Sequence, residues 1–172
     1  AKDRFAERDK RWHQNLENAV FQKHLRFFDA MSLWSGDERL SFQFSDWDPH
    51  KQQNPQTARK VGKQCFGLAK SLLTDNFNVA LIGEPGVGKT SLSLAMLDTV
   101  HKAKRTTMFV STMELALLFD QSIQYREIEG RINDIMTAMK RVDVLLLDDF
   151  GTEGGMKKDL RPVRKDMQDA LY

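Results

Sequence analysis

Apolar residues along this chain change their spacing several times, and each change marks an element. From Asp3 to Met31, Phe5, Trp12, Leu16, Val20, Phe27 and Met31 recur at helical steps with charges between them. This spacing predicts one long amphipathic helix, with a polar face for solvent and an apolar one for the core or a partner. Ser35-Gly36-Asp37 breaks it, and Ser41 to Pro49 is an aromatic, alternating stretch with little helical character. Asn54-Pro55 then offers a capping side chain followed by a proline at the first helical position. The helix it opens runs to about Leu73, with Ala58, Val61, Cys65, Leu68, Ala69 and Leu72 on one face.

The remainder alternates strand and helix. Val79 to Ile82 has the length of a buried strand, and Ser91 to Val100 carries Leu92, Ala95, Met96 and Val100 at helical spacing. Thr106 to Ser111 reads as a second strand, with Thr112 as cap of a helix from Met113 to about Ile123. Ile128 to Lys140 is a further helix, with Ile132, Ile135, Met136 and Met139 on one side as core filler. In Val142 to Gly151, four apolar residues, Val144 to Leu147, run into the paired carboxylates Asp148-Asp149. Asp159 can cap a last helix with Pro162 in its first turn. Such alternation predicts an α/β fold with a parallel sheet flanked by helices and preceded by the long N-terminal helix. Residues 1–34 are expected to form that linker helix, and residues 38–172 the core.

Composition narrows the class. The 172 residues suit one domain, and the net charge of +2 demands no polyanionic partner. A single cysteine, Cys65, excludes a disulfide framework, reads as a small core residue and fits a reducing cytoplasm. The histidines lack metal-ligand spacing, and no apolar run approaches the length of a membrane span, so no membrane partner is expected.

The chemistry lies in two stretches. Gly83-Glu84-Pro85-Gly86-Val87-Gly88-Lys89-Thr90-Ser91 joins the first strand to the next helix. Strand, glycine-rich loop and helix in that order make a G-x-x-x-x-G-K-T match a phosphate-binding loop. Its glycines let backbone N–H groups converge on phosphate oxygens, and the helix N-terminus adds positive potential. Lys89 would reach the β- and γ-phosphates of ATP, and the Thr90 hydroxyl would ligate Mg²⁺. The second stretch is Asp148-Asp149, at the carboxyl end of a strand where open α/β sheets bind ligands. Asp148 would hold Mg²⁺ through a water, and Asp149 would orient or deprotonate the attacking water. Phe44 and Trp47 are candidates for a purine pocket, although aromatic residues in such a segment also serve as core. The basic stretch from Met156 to Lys165 suits a solvated face, nucleic acid or a neighbouring subunit's nucleotide.

Taken together, Phe42-Gln43-Phe44-Ser45-Asp46-Trp47, the loop from Gly83 to Thr90, and Val142 to Gly151 with its Asp-Asp-Phe-Gly ending resemble the DnaC/DnaI-type replicative helicase loaders. They are similar also to the IstB-type transposition helper ATPases, and both groups belong to the AAA+ class. The resemblance covers roughly residues 38–172. It implies an ATPase, weak in isolation, that needs a neighbouring subunit's arginine and acts with a replicative helicase on single-stranded DNA. It also implies that Phe44 and Trp47 lie beside the adenine, that Met113 to Ile123 occupies the place of a helix associated with single-stranded DNA, and that self-association runs through the ATP site. The fourth and fifth strands of that class, with their sensor and finger residues, do not occur in these 172 residues. The sequence is therefore expected to omit a C-terminal part. Two other readings stay open: a non-hydrolysing, nucleotide-gated binding module, and a small-molecule P-loop kinase. The adjacent acids and the lack of an arginine-rich lid disfavour the kinase.

Overall fold

A computed structural model describes residues 2–36 and 38–150, with side chains from residue 7 onward. The loop expected at Thr152–Gly155, the basic stretch and the last helix lie outside the described residues. Five α-helices are present among the described residues: α1 (Lys2–Met31), α2 (Pro55–Ser71), α3 (Lys89–Lys102), α4 (Thr112–Gln124) and α5 (Glu127–Met139). Two strands, β1 (Thr107–Ser111) and β2 (Val144–Asp148), pair in parallel, with Thr107 opposite Val144 and Ser111 opposite Asp148. No helix among the described residues is long and apolar enough to cross a membrane.

The sheet is covered on both faces, which is why its strands read as apolar runs. Phe109, Val144 and Leu146 pack towards Leu94 and Leu97 of α3. Met108, Val110, Leu145 and Leu147 face Leu115 of α4 and Ile135, Ala138 and Met139 of α5. A third apolar cluster joins Cys65 and Ala69 of α2 to Leu92 and Met96 of α3. Cys65 is 1% exposed, and burial pushes its thiol above the usual range, as befits a core residue. The start of the strand pair is fixed by Asp143. Its carboxylate accepts from the Thr106 backbone N–H at 2.7 Å and from the Thr106 hydroxyl at 2.6 Å.

Local capping follows the sequence with one exchange. The Asn54 side chain accepts from Thr57 N–H at 3.0 Å, with Pro55 opening α2. At α4 the cap is Ser111, whose hydroxyl accepts from Glu114 N–H at 3.4 Å, and not Thr112. Strand β1 ends at Ser111 as expected, but α4 begins one residue earlier, at Thr112, so the last strand residue serves as the cap and the Thr112 hydroxyl is engaged elsewhere. The expected strand at Val79–Ile82 is also corrected: the segment has no ladder partner among the described residues and forms no strand. Val79 and Leu81 pack on the α2–α3 cluster, while Ile82 is 95% exposed. A strand exists only through its neighbour's hydrogen bonds, so an apolar run alone does not make one. The aromatic stretch forms two 3-10 turns, Phe44–Asp46 and Pro49–Lys51.

Helix α1 buries only part of its apolar stripe. Phe27, Phe28 and Met31 pack on the core, whereas Trp12, Leu16 and Val20 are exposed. After α1 the chain turns along the outer edge of β1. Leu33 N–H donates to Phe109 O at 2.8 Å, Ser111 N–H donates to Leu33 O at 2.9 Å, and Phe109 N–H donates to the Ser32 hydroxyl at 3.0 Å. Trp34 stacks on Phe109 with ring centroids 4.1 Å apart.

His101, near the end of α3, sits beneath this helix, with the Phe21 and Phe28 rings at 5.3 and 5.5 Å. Its Nδ1 lies 2.9 Å from the Thr107 hydroxyl, and its buried Nε2 has no hydrogen-bond partner among the described residues. Burial, then the Arg39 charge, holds the imidazole below the usual histidine range, so the neutral form is favoured. The unfolded chain then binds the extra proton first as pH falls. Its contribution to stability is complete above about pH 6.5 and declines below it. Thermal unfolding followed from neutral to mildly acidic pH is expected to show a falling midpoint, and His101→Gln is expected to flatten that fall.

Candidate functional site

The loop from Gly83 to Gly88 runs directly into α3, whose first residue is Lys89. Gly86 and Gly88 have φ of 81° and 83°, a region that costs L-residues roughly 1–2 kcal/mol. At Gly88 a second constraint applies, since a β-carbon there would lie 2.6 Å from the Trp47 ring. The same indole lies against Gly62 of α2, where a β-carbon would be 2.7 Å from its nitrogen. Trp47 Nε1–H donates to Ala58 O at 3.2 Å, which fixes the ring between the loop and α2. The Lys89 ammonium donates to the carbonyl oxygens of Gly83 and Glu84, both at 2.9 Å. It is thereby tethered inside the loop, close to where an anion at the α3 N-terminus would sit.

The acidic pair meets this loop. The Thr90 hydroxyl lies 3.1 Å from both carboxylate oxygens of Asp148, linking the first turn of α3 to the end of β2. Burial, followed by the neighbouring Asp149 charge, pushes the Asp148 carboxyl above the usual range, opposed by the Thr90 hydrogen bond and by Lys89. Among the described residues no Lys or Arg forms an ion pair with Asp148. A half-buried carboxylate and a hydroxyl, both hard oxygen donors at hydrogen-bond distance, fit Mg²⁺, which takes few protein ligands and completes its shell with water and phosphate. Asp149 has φ of 56°, an uncommon left-handed conformation for a residue with a side chain.

What holds Asp149 there is a residue that pattern reading placed in a different role. The Thr112 hydroxyl, fully buried, lies 3.1 Å from Asp148 O and 2.9 Å from Asp149 O. Thr112 is the first residue of α4, so this contact ties α4 to the turn carrying both acids. The signal was available in principle. A hydroxyl just past the carboxyl end of one parallel strand falls beside the corresponding end of its neighbour.

Of the residues singled out from sequence, Gly83 to Thr90, Asp148, Asp149 and Trp47 thus form one locus. Ser91 is half-buried in the first turn of α3, and Glu84, Pro85 and Val87 are exposed on the loop. Phe44 packs into the α2–α3 cluster beside Trp47 and meets Phe66 edge-on at 5.2 Å. Gly62 was not anticipated, because its role depends on Trp47, which is distant in sequence.

Two substitutions test this geometry. Gly88→Ala meets both the left-handed backbone and the indole, so it is expected to lower the melting temperature and weaken nucleotide affinity at least tenfold, about 1.4 kcal/mol. Adding Trp47→Ala should recover only the steric part. Thr112→Val removes one hydroxyl at nearly constant volume. It is expected to lower any ATP turnover about tenfold with analogue affinity unchanged, and Thr112→Ser should restore turnover.

No curated protein and no solved structure shows significant similarity to this chain. Residues 41–160 match the family described as IstB-like ATP binding protein. That span takes in the aromatic turns, the phosphate loop, the sheet and the acidic pair, within a parallel sheet flanked by helices as P-loop AAA+ proteins have. The chain belongs to the IstB-like ATP-binding family.

Proposed function

We propose that this protein binds ATP with Mg²⁺ between the loop at Gly83–Thr90 and the acidic pair, hydrolyses it slowly when alone, and loads or remodels a replicative helicase on single-stranded DNA. The observation that supports the ATPase reading is the Thr90–Asp148 contact between the end of the Gly83–Thr90 loop and the acidic pair. Bound Mg²⁺ would offset charge on the β- and γ-phosphates. Lys89 exchanges its two carbonyl partners for phosphate oxygens, and α3 directs its positive end at the same charge. Thr90 and Asp148 would hold the metal, Asp148 through a water. Asp149, fixed by Thr112, orients a water for attack and accepts its proton. A neighbouring subunit's arginine completes the charge stabilisation, which accounts for weak activity in isolation. Phe44 and Trp47 line the base side.

The helicase as target comes from the resemblance of the motifs to helicase loaders. A second reading, a helper ATPase for transposition, comes from the resemblance to IstB-type proteins, and the matching family is described as IstB-like. Affinity capture with the replicative helicase and with a transposase as separate baits distinguishes them. For the site itself, Lys89→Ala is expected to abolish binding of a fluorescent ATP analogue. Asp149→Asn is expected to retain binding and to lose turnover by at least a hundredfold. Unchanged analogue affinity in Lys89→Ala would remove the site. Cellular function surviving in Asp149→Asn would leave a nucleotide-gated binding module.

A further inference from the structure

We propose that the outer face of α2 is a binding surface for single-stranded nucleic acid, with Arg59, Lys63 and Lys70 on phosphates and Phe66 beneath a base. The proposal deepens the reading above by naming a surface for its nucleic acid, and rests on it for the class of partner.

The first observation is charge segregation. Between Asp48 and Asp75 the chain carries five of its 26 Lys and Arg and none of its 24 Asp and Glu. The rest of the chain therefore has 21 cations against 24 acids, so the net positive charge resides in this segment. Within α2, Ala58, Gly62, Cys65 and Ala69 are buried, while Arg59, Lys63, Phe66 and Lys70 are exposed. At 100° per residue those four fall within an arc of about 60°, spread along about 16 Å of helix. They form one stripe directed away from the α3 interface.

The second observation is what the stripe lacks. Among the described residues no carboxylate pairs with Arg59, Lys60, Lys63 or Lys70, whereas Lys102 and Lys104 on the neighbouring helix end are paired with Asp98 and Glu17. Arg59 lies 3.4 Å from the His50 ring, which adds no negative charge. The helix dipole favours a cation in the last turn, which accounts for Lys70 but not for Arg59, Lys60 or Lys63. Four cations on one helix without a counter-charge repel one another, and a polyanion relieves that repulsion.

The third observation selects a single strand. Phe66 is 42% exposed in the middle of the cations, edge-on to the Phe44 ring, with the Lys70 ammonium 4.5 Å from its centroid, so a base takes its place over the ring as Lys70 moves to a phosphate. An aromatic ring flanked by cations is the combination on which unpaired bases stack while phosphates track the charges. A duplex keeps its bases stacked internally and offers none to the ring.

The test is fluorescence anisotropy of a labelled oligothymidylate with the full chain over a salt series. Replacing Arg59, Lys63 and Lys70 together by Ala is expected to reduce the log–log salt slope by about 2, from about 0.7 per phosphate contact. Phe66→Leu is expected to weaken binding about five- to tenfold at fixed salt with the slope unchanged. Both variants should keep wild-type affinity for an ATP analogue, which excludes a folding defect. An unchanged slope in the triple variant overturns the inference and leaves the proposed function intact, with the strand bound elsewhere. Equal binding of polyphosphate or of a matched duplex, insensitive to Phe66→Leu, overturns the single-strand assignment in favour of a general polyanion surface. Absence of oligonucleotide binding by the wild-type chain overturns the inference together with the nucleic-acid part of the function.

Discussion

The contact between the Thr90 hydroxyl and the Asp148 carboxylate is the constraint on which the rest of the site depends. It requires β2 to lie parallel to β1, in a register that brings Asp148 to the level of the α3 N-terminus. That register is set at the opposite end, where Thr106 and Asp143 exchange backbone and side-chain hydrogen bonds. These bonds, led by the Thr106 hydroxyl, hold the Asp143 carboxyl below its usual range, so it remains an ionised acceptor. A slip of one residue would turn Leu145 and Leu147 to the wrong face and put a different residue opposite Thr90. Asp143 therefore positions the site without belonging to it.

The site also concentrates conformations that a stable core avoids. Asp148 is a carboxylate partly removed from water beside a second acid, Asp149 takes a left-handed backbone, and two loop glycines do the same. Each is unfavourable by itself, and such outliers persist only where the surroundings over-determine them. Here the surroundings are Thr112 from α4, the Trp47 ring beneath Gly88, and the carbonyl oxygens that hold Lys89. Any ligand that relieves the acid–acid repulsion and engages Lys89 acts on a frame already assembled.

Much of this was legible in the sequence because it is encoded locally. The spacing of Gly83, Gly88, Lys89 and Thr90, the apolar run before Asp148, and the Asn54-Pro55 start of α2 each specify their own geometry. What escaped pattern reading depends on partners remote in sequence. Val79 to Ile82 has the composition of a strand, yet pairing belongs to two segments, and its exposed Ile82 shows that apolar character alone does not bury a residue. Thr112 has the composition of a cap, but α4 starts directly from the last residue of β1, so Ser111 serves both elements and Thr112 is free to bond the neighbouring strand end. The stripe on α1 gave no sign of where its docked half begins, since Trp12 and Phe28 are equally apolar and only the position of the sheet separates them. Gly62 carried no signal until Trp47 was seen against it.

The segment after α1 has a further effect on the sheet as a whole. Leu33 and the Ser32 hydroxyl occupy the outward N–H and C=O of Phe109 and the outward N–H of Ser111, and Trp34 lies flat over the same strand. An uncovered strand is a template for a stranger's backbone, and here the chain has shielded that flank with its own linker. Recruitment of any additional strand, from this molecule or another, is thereby restricted to the far side of β2, next to the phosphate loop.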